Sequence, residues 1–348
     1  MNSTPPARSA PTSADVAQRA GVSRATVSYV LNGSSAGRVG APTRERVLAA
    51  ARELGYVPNA AARALRAGRS GIVLMDNPNI VWGPLFNEFM ADLRTHLHAF
   101  GYSAVVFGDS VADSPDALAR RWAELRPTAV LFGAGLTIGE QEVTLLRRSG
   151  TQAVIAWGGE RTEGAHWLRT DLAAVGAVAV EHLLDRGRRR IGVVVPVDES
   201  LGYFSRPRLV GAEQAAAGFA RRRRLRKEEA PRIVRLDLDY TEESAAELAA
   251  ALPGLGLDAV FAYNDEYAML VAAALQDAGV RIPEDVALVG ADDLMLCRLL
   301  RPRLTSVRTE LPGGRHLAEL VDRLVHATDA PPVTVDLGAA RVVERGSS

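Results

Sequence analysis

The spacing of hydrophobic residues changes once along the chain. Up to about residue 57 they recur at helical intervals in three short runs. From about residue 72 they gather into short apolar runs, each followed by an amphipathic stretch of helical length. The first part predicts three short helices. Thr12 is placed to cap the first, with Asp15 three positions on as in a capping box, and Gly21 follows its last residue, Ala20. Ser23 is placed to cap the second, which runs to about Leu31, and Thr43 the third, which stops at Gly55. Val16, Ala20, Val22, Val27, Val30, Val47 and Leu54 suffice for a small three-helix core.

The second part contains the runs "GIVLM", "YSAVVF", "TAVLFG", "TQAVIAW", "RIGVVVP", "RIVRLDL", "DAVFAYN" and "VALVGA". Strands alternating with helices in this way predict parallel sheets covered on both faces. The length of this part suits two doubly wound lobes. Between the two parts lies "NAAARALRAGRSG", residues 59–71, which is rich in alanine but too short to hold a helix alone in water. It reads as a linker that is helical only when something holds it. The expected architecture is a small all-α helix-turn-helix headpiece followed by an α/β body of two doubly wound lobes.

Composition narrows the function. An apolar fraction of 47% and a charged fraction of 24% are those of a soluble globular protein. No apolar run reaches the roughly 18 residues of a membrane span. The Pro/Ser-rich residues 1–11 have no signal-like apolar core and are expected to be disordered. The single cysteine, Cys297, suits the cytoplasm, and the six histidines lack metal-ligand spacing. We expect no metal, no cofactor and no membrane contact. The net charge of zero hides an asymmetry. Residues 1–70 hold ten arginines against three acids (Asp15, Glu45 and Glu53), a balance of +7, and the remainder carries −7. A positive first segment on a mildly acidic body points to a polyanion as the partner of the first segment.

The stretch "GVSRATVSYVLNG", residues 21–33, supplies the chemistry. Its helix turns Val27, Val30 and Leu31 to the core and carries Arg24, Thr26, Ser28 and Tyr29 on the other face, with no carboxylate. Two helices joined by the tight "AGVS" turn make a helix-turn-helix whose second member enters a major groove. Arg24 suits guanine O6 and N7. Thr26, Ser28 and Tyr29 suit phosphates or base edges, and Ala25 leaves room for a thymine methyl.

Here the sequence resembles the LacI/GalR family of transcription regulators. "DVAQRAGVSRATVSYVLNG" resembles that family's helix-turn-helix, and "TRERVLAAARELGYVPNAAARAL" its third helix and hinge. The likeness continues more loosely through "VFAYNDEYAMLVAAALQDAGVRIPEDVALVGADD" and "RPRLTSVRTE". The resemblance implies that Arg24, Ala25 and Tyr29 read bases, while Ser23, Thr26, Ser28 and Asn32 hold phosphates or brace the turn. It also implies a hinge helix, with Asn59 at its start, Ala62 facing its symmetry mate and Leu65 wedged between base pairs of the minor groove.

For the body, the resemblance implies a periplasmic-binding-protein-like pair of lobes with a small-molecule effector between them. Arg208, Asn264 and Asp292 match polar ligand contacts, Tyr240 matches a stacking aromatic, and Pro84 and Trp157 face them from the other lobe. Asn264 and Asp265 read equally well as helix caps. Trp82 and Trp167 add aromatic character. The expected division is 12–57 headpiece, 58–70 hinge, 71–172 with 303–330 first lobe, and 173–302 with 331–348 second lobe.

The whole reads as a cytoplasmic, sequence-specific repressor without catalytic activity. It binds a palindromic operator on double-stranded DNA as a homodimer, and a sugar or related metabolite sets its affinity. The dimer face is expected to include the helix after "GPLFNEF". A solute-binding protein or a nucleotide-dependent enzyme would share the α/β alternation. The basic headpiece argues against the first, and the lack of a P-loop, a GxSxG elbow and HExxH against the second.

Overall fold

The computed structural model describes residues 11–31, 39–57, 70–76, 83–107, 114–133, 136–310, 313–327 and 331–348. It divides into two units, Met1–Ser70 and Gly71–Ser348.

In the first unit, helices α1 (Ser13–Ala20), α2 (Arg24–Leu31) and α3 (Ala41–Glu53) form around Val16, Val27, Val30 and Val47. Ala17, Ala20, Ala50 and Ala51 let the helices approach closely. The capping box is present. The Asp15 amide donates to Thr12 Oγ1, and the Thr12 amide donates to Asp15 Oδ2 at 2.7 Å, which holds the Asp15 carboxyl below its ordinary range. Gly21 ends α1 at φ 66°, a left-handed conformation that glycine adopts without cost. Ser23 Oγ accepts the Thr26 amide at 3.1 Å and opens α2 as expected. Thr43 does not cap α3. The helix starts three residues earlier, capped by Gly40, because Pro42 fits a first helical turn, and Thr43 Oγ1 instead takes a hydrogen bond from Arg46.

In the second unit, the first sheet comprises β1 (Ile72–Met75), β2 (Ser103–Val106), β3 (Ala129–Gly133), β4 (Ala153–Trp157), β5 (His166–Arg169) and β11 (Thr334–Asp336), in the order β11-β5-β4-β3-β1-β2 with every pair parallel. The second comprises β6 (Arg190–Pro196), β7 (Arg232–Leu238), β8 (Ala259–Phe261), β9 (Ala287–Ala291), β10 (Thr305–Thr309) and β12 (Ala340–Val343), in the order β12-β10-β9-β8-β6-β7, and only β12 runs antiparallel to its neighbour.

Helices α4 (Pro84–Ala99) and α11 (Gly314–His326) cover one face of the first sheet, and α5 (Pro115–Glu124) and α6 (Glu140–Arg148) the other. The second sheet lies between α7 (Leu172–Asp185) with α8 (Gly202–Arg223) on one face and α9 (Glu242–Leu255) with α10 (Asp265–Asp277) on the other.

Two expected boundaries move. The expected first lobe includes residues 303–330, but β10 pairs with β9 and belongs to the second. The expected second lobe includes residues 331–348, but β11 pairs with β5 in the first. The chain therefore passes between lobes near 170, between Thr309 and Gly314, and at 337–339. These strands escape a reading of apolar runs because they are short and at least one face carries polar residues, as in "TSVRT" and "TVD". No helix among the described residues is long and apolar enough to cross a membrane.

Helices α7 and α8 meet at glycines. A Cβ on Gly176 would lie 1.8 Å from the Arg208 carbonyl oxygen, and one on Gly211 would lie 1.9 Å from that of Ala173. Backbone cannot retreat as a side-chain tip can, so Gly211→Ala is expected to lose about 1–3 kcal/mol of stability as overpacking. Urea unfolding checks this. Gly218→Ala, which meets only arginine tips on the same helix, is the control.

Candidate DNA-recognition helix and interlobe cleft

The exposed face of α2 follows from its cap. Ser23 Oγ and Thr26 Oγ1 lie 2.9 Å apart, so these two hydroxyls are spent on the turn. With Val27 and Val30 buried, Arg24, Ala25 and Tyr29 are exposed, and Thr26 and Ser28 half-buried. No carboxylate stands on α2. Asn32, Asn59, Ala62 and Leu65, named above for the turn and hinge, lie outside the described residues, as does Trp82.

In open parallel sheets, ligands bind outside the carboxyl ends of the strands where successive connections leave in opposite directions. The strand orders put that point between β1 and β3 in the first lobe and between β6 and β8 in the second. Asp76 follows β1, Gly133 ends β3 and Trp157 ends the neighbouring β4. In the second lobe Asp198 follows β6, Tyr263 and Asn264 follow β8, and Asp292 follows β9.

Contacts between the lobes bring these ends together. The Gly159 amide donates to Tyr203 Oη, in the first turn of α8, at 2.9 Å. Gly158 and Gly159 take φ values of 72° and 61°, and a Cβ on Gly158 would sit 1.9 Å from that hydroxyl, so the glycine pair makes room for it. Likewise a Cβ on Gly83, the N-cap of α4, would lie 3.6 Å from Glu266 Oε2, which sets a carboxylate of α10 at the positive end of α4.

On the second lobe Arg208 is buried. It donates to the Tyr263 carbonyl, reaches Asp292 Oδ1 at 3.5 Å and stacks over the Tyr263 ring at 4.9 Å. Its Nε is buried without a hydrogen-bond partner among the described residues. Burial pushes the Tyr263 hydroxyl up to about 12. Asp292 and Asp293 hold positive φ, 97° and 51°. Their loop is pinned from beneath. Asp265 accepts Ser306 Oγ–H at 2.6 Å and the Leu294 amide at 2.7 Å, and Ser306 Oγ accepts the Asp293 amide at 3.0 Å. Arg308 and Arg345 pair with the buried Asp293 carboxylate.

Asn264 serves as the N-cap of α10. Its Oδ1 accepts the Tyr267 amide at 3.0 Å, and its Nδ2 donates to Glu266. The cap, one of the two roles open to it, is made. Tyr240 is half-exposed and packs against Tyr267, with ring centroids 4.9 Å apart and planes tilted by 46°. On the first lobe, Trp157 packs against Phe89 at 5.1 Å and Phe86 at 6.4 Å, with Nε1 donating to Thr170 Oγ1. Pro84 opens α4 and is exposed. Trp167 packs beside the first-lobe core and donates to the Gly158 carbonyl.

The model of bacterial regulatory proteins of the lacI family matches residues 12–59, and that of a periplasmic binding protein-like domain matches residues 180–348. The HTH-type transcriptional regulator reg1 of Streptomyces lividans is 32% identical over 330 residues, 91% of each chain. The chain belongs to the LacI family of bacterial regulatory proteins. Its sequence is also similar to the regulator CelR of Thermobifida fusca, 32% identical over 339 residues, 93% of this chain and 95% of the relative. A solved CelR–cellobiose complex shares the fold with a TM-score of 0.61 at 26% identity, covering 97% of this chain and 100% of that one. The lac repressor dimer bound to operator and the anti-inducer ONPF does so at 0.71 and 22%, covering 97% and 98%. This LacI-family chain is thus a helix-turn-helix transcriptional regulator.

Three residues of the LacI-family cleft were not singled out from the sequence. Tyr203 had a signal in the Gly158–Gly159 pair it fills. Glu266 had none. Asp76 was hidden as one acid after an apolar strand, and only packing reveals its burial. That burial raises its carboxyl to about 7, with backbone amides opposing the shift. Asp265 is raised to about 7 as well, again by burial.

For a raised acid, the folded state holds a proton that the unfolded chain releases. The stability that each of these two acids contributes therefore falls as pH rises from about 4 to about 7 and then levels. Asp76→Asn is expected to show a change in melting temperature between pH 5 and pH 8 that lacks the Asp76 part of the fall, with Asp265 still contributing to the fall and the burial-lowered His166 and His182 opposing it in both proteins. Calorimetric melting of both proteins across that range checks this.

Proposed function

We propose that the protein is a cytoplasmic repressor that grips a palindromic operator as a homodimer, and that a small polyhydroxylated effector between the lobes sets its operator affinity. It acts by binding alone. The observation that carries the reading is the α2 face. Arg24, Ala25 and Tyr29 stand exposed on a helix without a carboxylate, in a segment of charge +7. Such a face suits the edges of bases and repels nothing on a phosphate backbone. Two copies related by a two-fold axis read two half-sites, and α4 contributes to the face between them.

The effector reading rests on the cleft. Arg208 and Asp292 offer charge to hydroxyl groups, and Trp157 and Tyr240 offer flat apolar surface to a sugar ring. CelR, a relative, is solved with cellobiose, and a LacI family regulator of similar fold with ribose.

Arg24→Ala is expected to weaken operator binding by about 1–3 kcal/mol, the worth of one bidentate base contact, and to change random-duplex binding far less. Fluorescence anisotropy on both duplexes, with two chains bound per operator, checks this. Equal losses on both would reduce Arg24 to a phosphate contact. Arg208→Ala is expected to keep operator affinity while losing the response to the effector, whose coupling is bounded at about 1–3 kcal/mol as in other allosteric pairs. Anisotropy titrations with and without the saccharide found by a thermal-shift screen check this. A mutant that still responds would place the effector elsewhere.

A further inference from the structure

The carboxylates around the cleft differ in one respect. Both oxygens of Asp265 are engaged, by Ser306 and by the Leu294 amide. Asp293 is paired with Arg308 and Arg345, and Asp292 with Arg208. Asp76 has no such partner. Its carboxyl takes backbone amide hydrogens, that of Gly133 among them, and no cation among the described residues offsets its burial. Its Oδ2 is buried without a hydrogen-bond partner among the described residues. A buried acceptor left unmet is destabilising, and native structures keep few of them.

Its place is informative. Asp76 follows β1 directly, at the point where the first sheet's connections diverge, beside the end of β3. The second lobe carries the complementary defect, the buried and unpartnered Nε of Arg208. One lobe thus offers a bare acceptor and the other a bare donor, each at the ligand-binding end of its sheet.

We propose that Asp76 is the first-lobe anchor of the effector. A hydroxyl or amino group of the effector donates to Oδ2, so the molecule recognised carries a hydrogen-bond donor at the end that meets β1. Analogues lacking that donor are rejected, because they leave the carboxylate buried and unmet. This rests on the reading of the cleft as a saccharide site.

The test uses the full chain and isothermal calorimetry with cellobiose, maltose, ribose, glucose and glucosamine. At least one is expected to bind the parent saturably. For that compound Asp76→Ala is expected to raise Kd tenfold or more with the fold intact by melting. Asp76→Asn, whose amide still donates to a hydroxyl oxygen, is expected to recover part of the affinity for a neutral sugar and none for glucosamine. Among deoxy analogues, one is expected to lose as much on the parent as Asp76→Ala does, and to lose nothing further on the mutant. If Asp76→Ala binds within twofold of the parent while Arg208→Ala does not bind, Asp76 is not the anchor and the cleft reading stands. If neither substitution matters, both fall. A panel without a binder removes the saccharide premise and the proposal with it.

Discussion

The buried carboxyl of Asp265 is the point on which the second lobe's half of the cleft depends. It starts α10, holds the Leu294 amide and holds Ser306 on β10, which in turn holds the Asp293 amide. A Cβ on Gly290 would lie 2.3 Å from its Oδ1, so β9 carries glycine there to admit it. The two aspartates after β9 are thereby kept at positive φ, a conformation side chains adopt only when their surroundings impose it. Asp292 meets Arg208 because of that constraint, and Arg208 comes near because Gly176 and Gly211 let α8 lie against α7.

The lobes themselves are joined more lightly at this end. The bond from Gly159 to Tyr203 is a neutral one, of the kind worth about 1 kcal/mol net. Glu266 beside the start of α4 adds a helix-dipole contact of comparable size. A ligand that makes a few hydrogen bonds to both lobes outweighs such contacts. The arrangement is therefore one that binding energy can bias.

What the sequence revealed depended on how local the cause was. The Thr12–Asp15 box, the left-handed Gly21 and the Ser23 cap are determined within four residues, and all were legible. Thr43 misled because a threonine before charged residues looks like a cap, while the Pro42 beside it already suits the first turn. The central strands showed themselves as apolar runs. Strands β5, β10, β11 and β12 did not, since each is short and has at least one face where polar residues are tolerated. In the cleft, Arg208 and Asp292 were found through a family resemblance. Asp76, Tyr203 and Glu266 depend on which strand ends and helix starts lie together, and their spacing along the chain carries no trace of that.

Because the chain crosses between the lobes three times, neither sheet can be completed from a continuous segment. The first sheet acquires its edge strand only at Thr334–Asp336, and its covering helix α11 begins at Gly314. The headpiece core, by contrast, is drawn from Val16 to Ala51 alone. As the chain emerges from a ribosome, the unit that reads DNA has all its core residues long before either lobe has all of its strands. Newly made protein therefore passes through an interval in which it carries its address and lacks its switch.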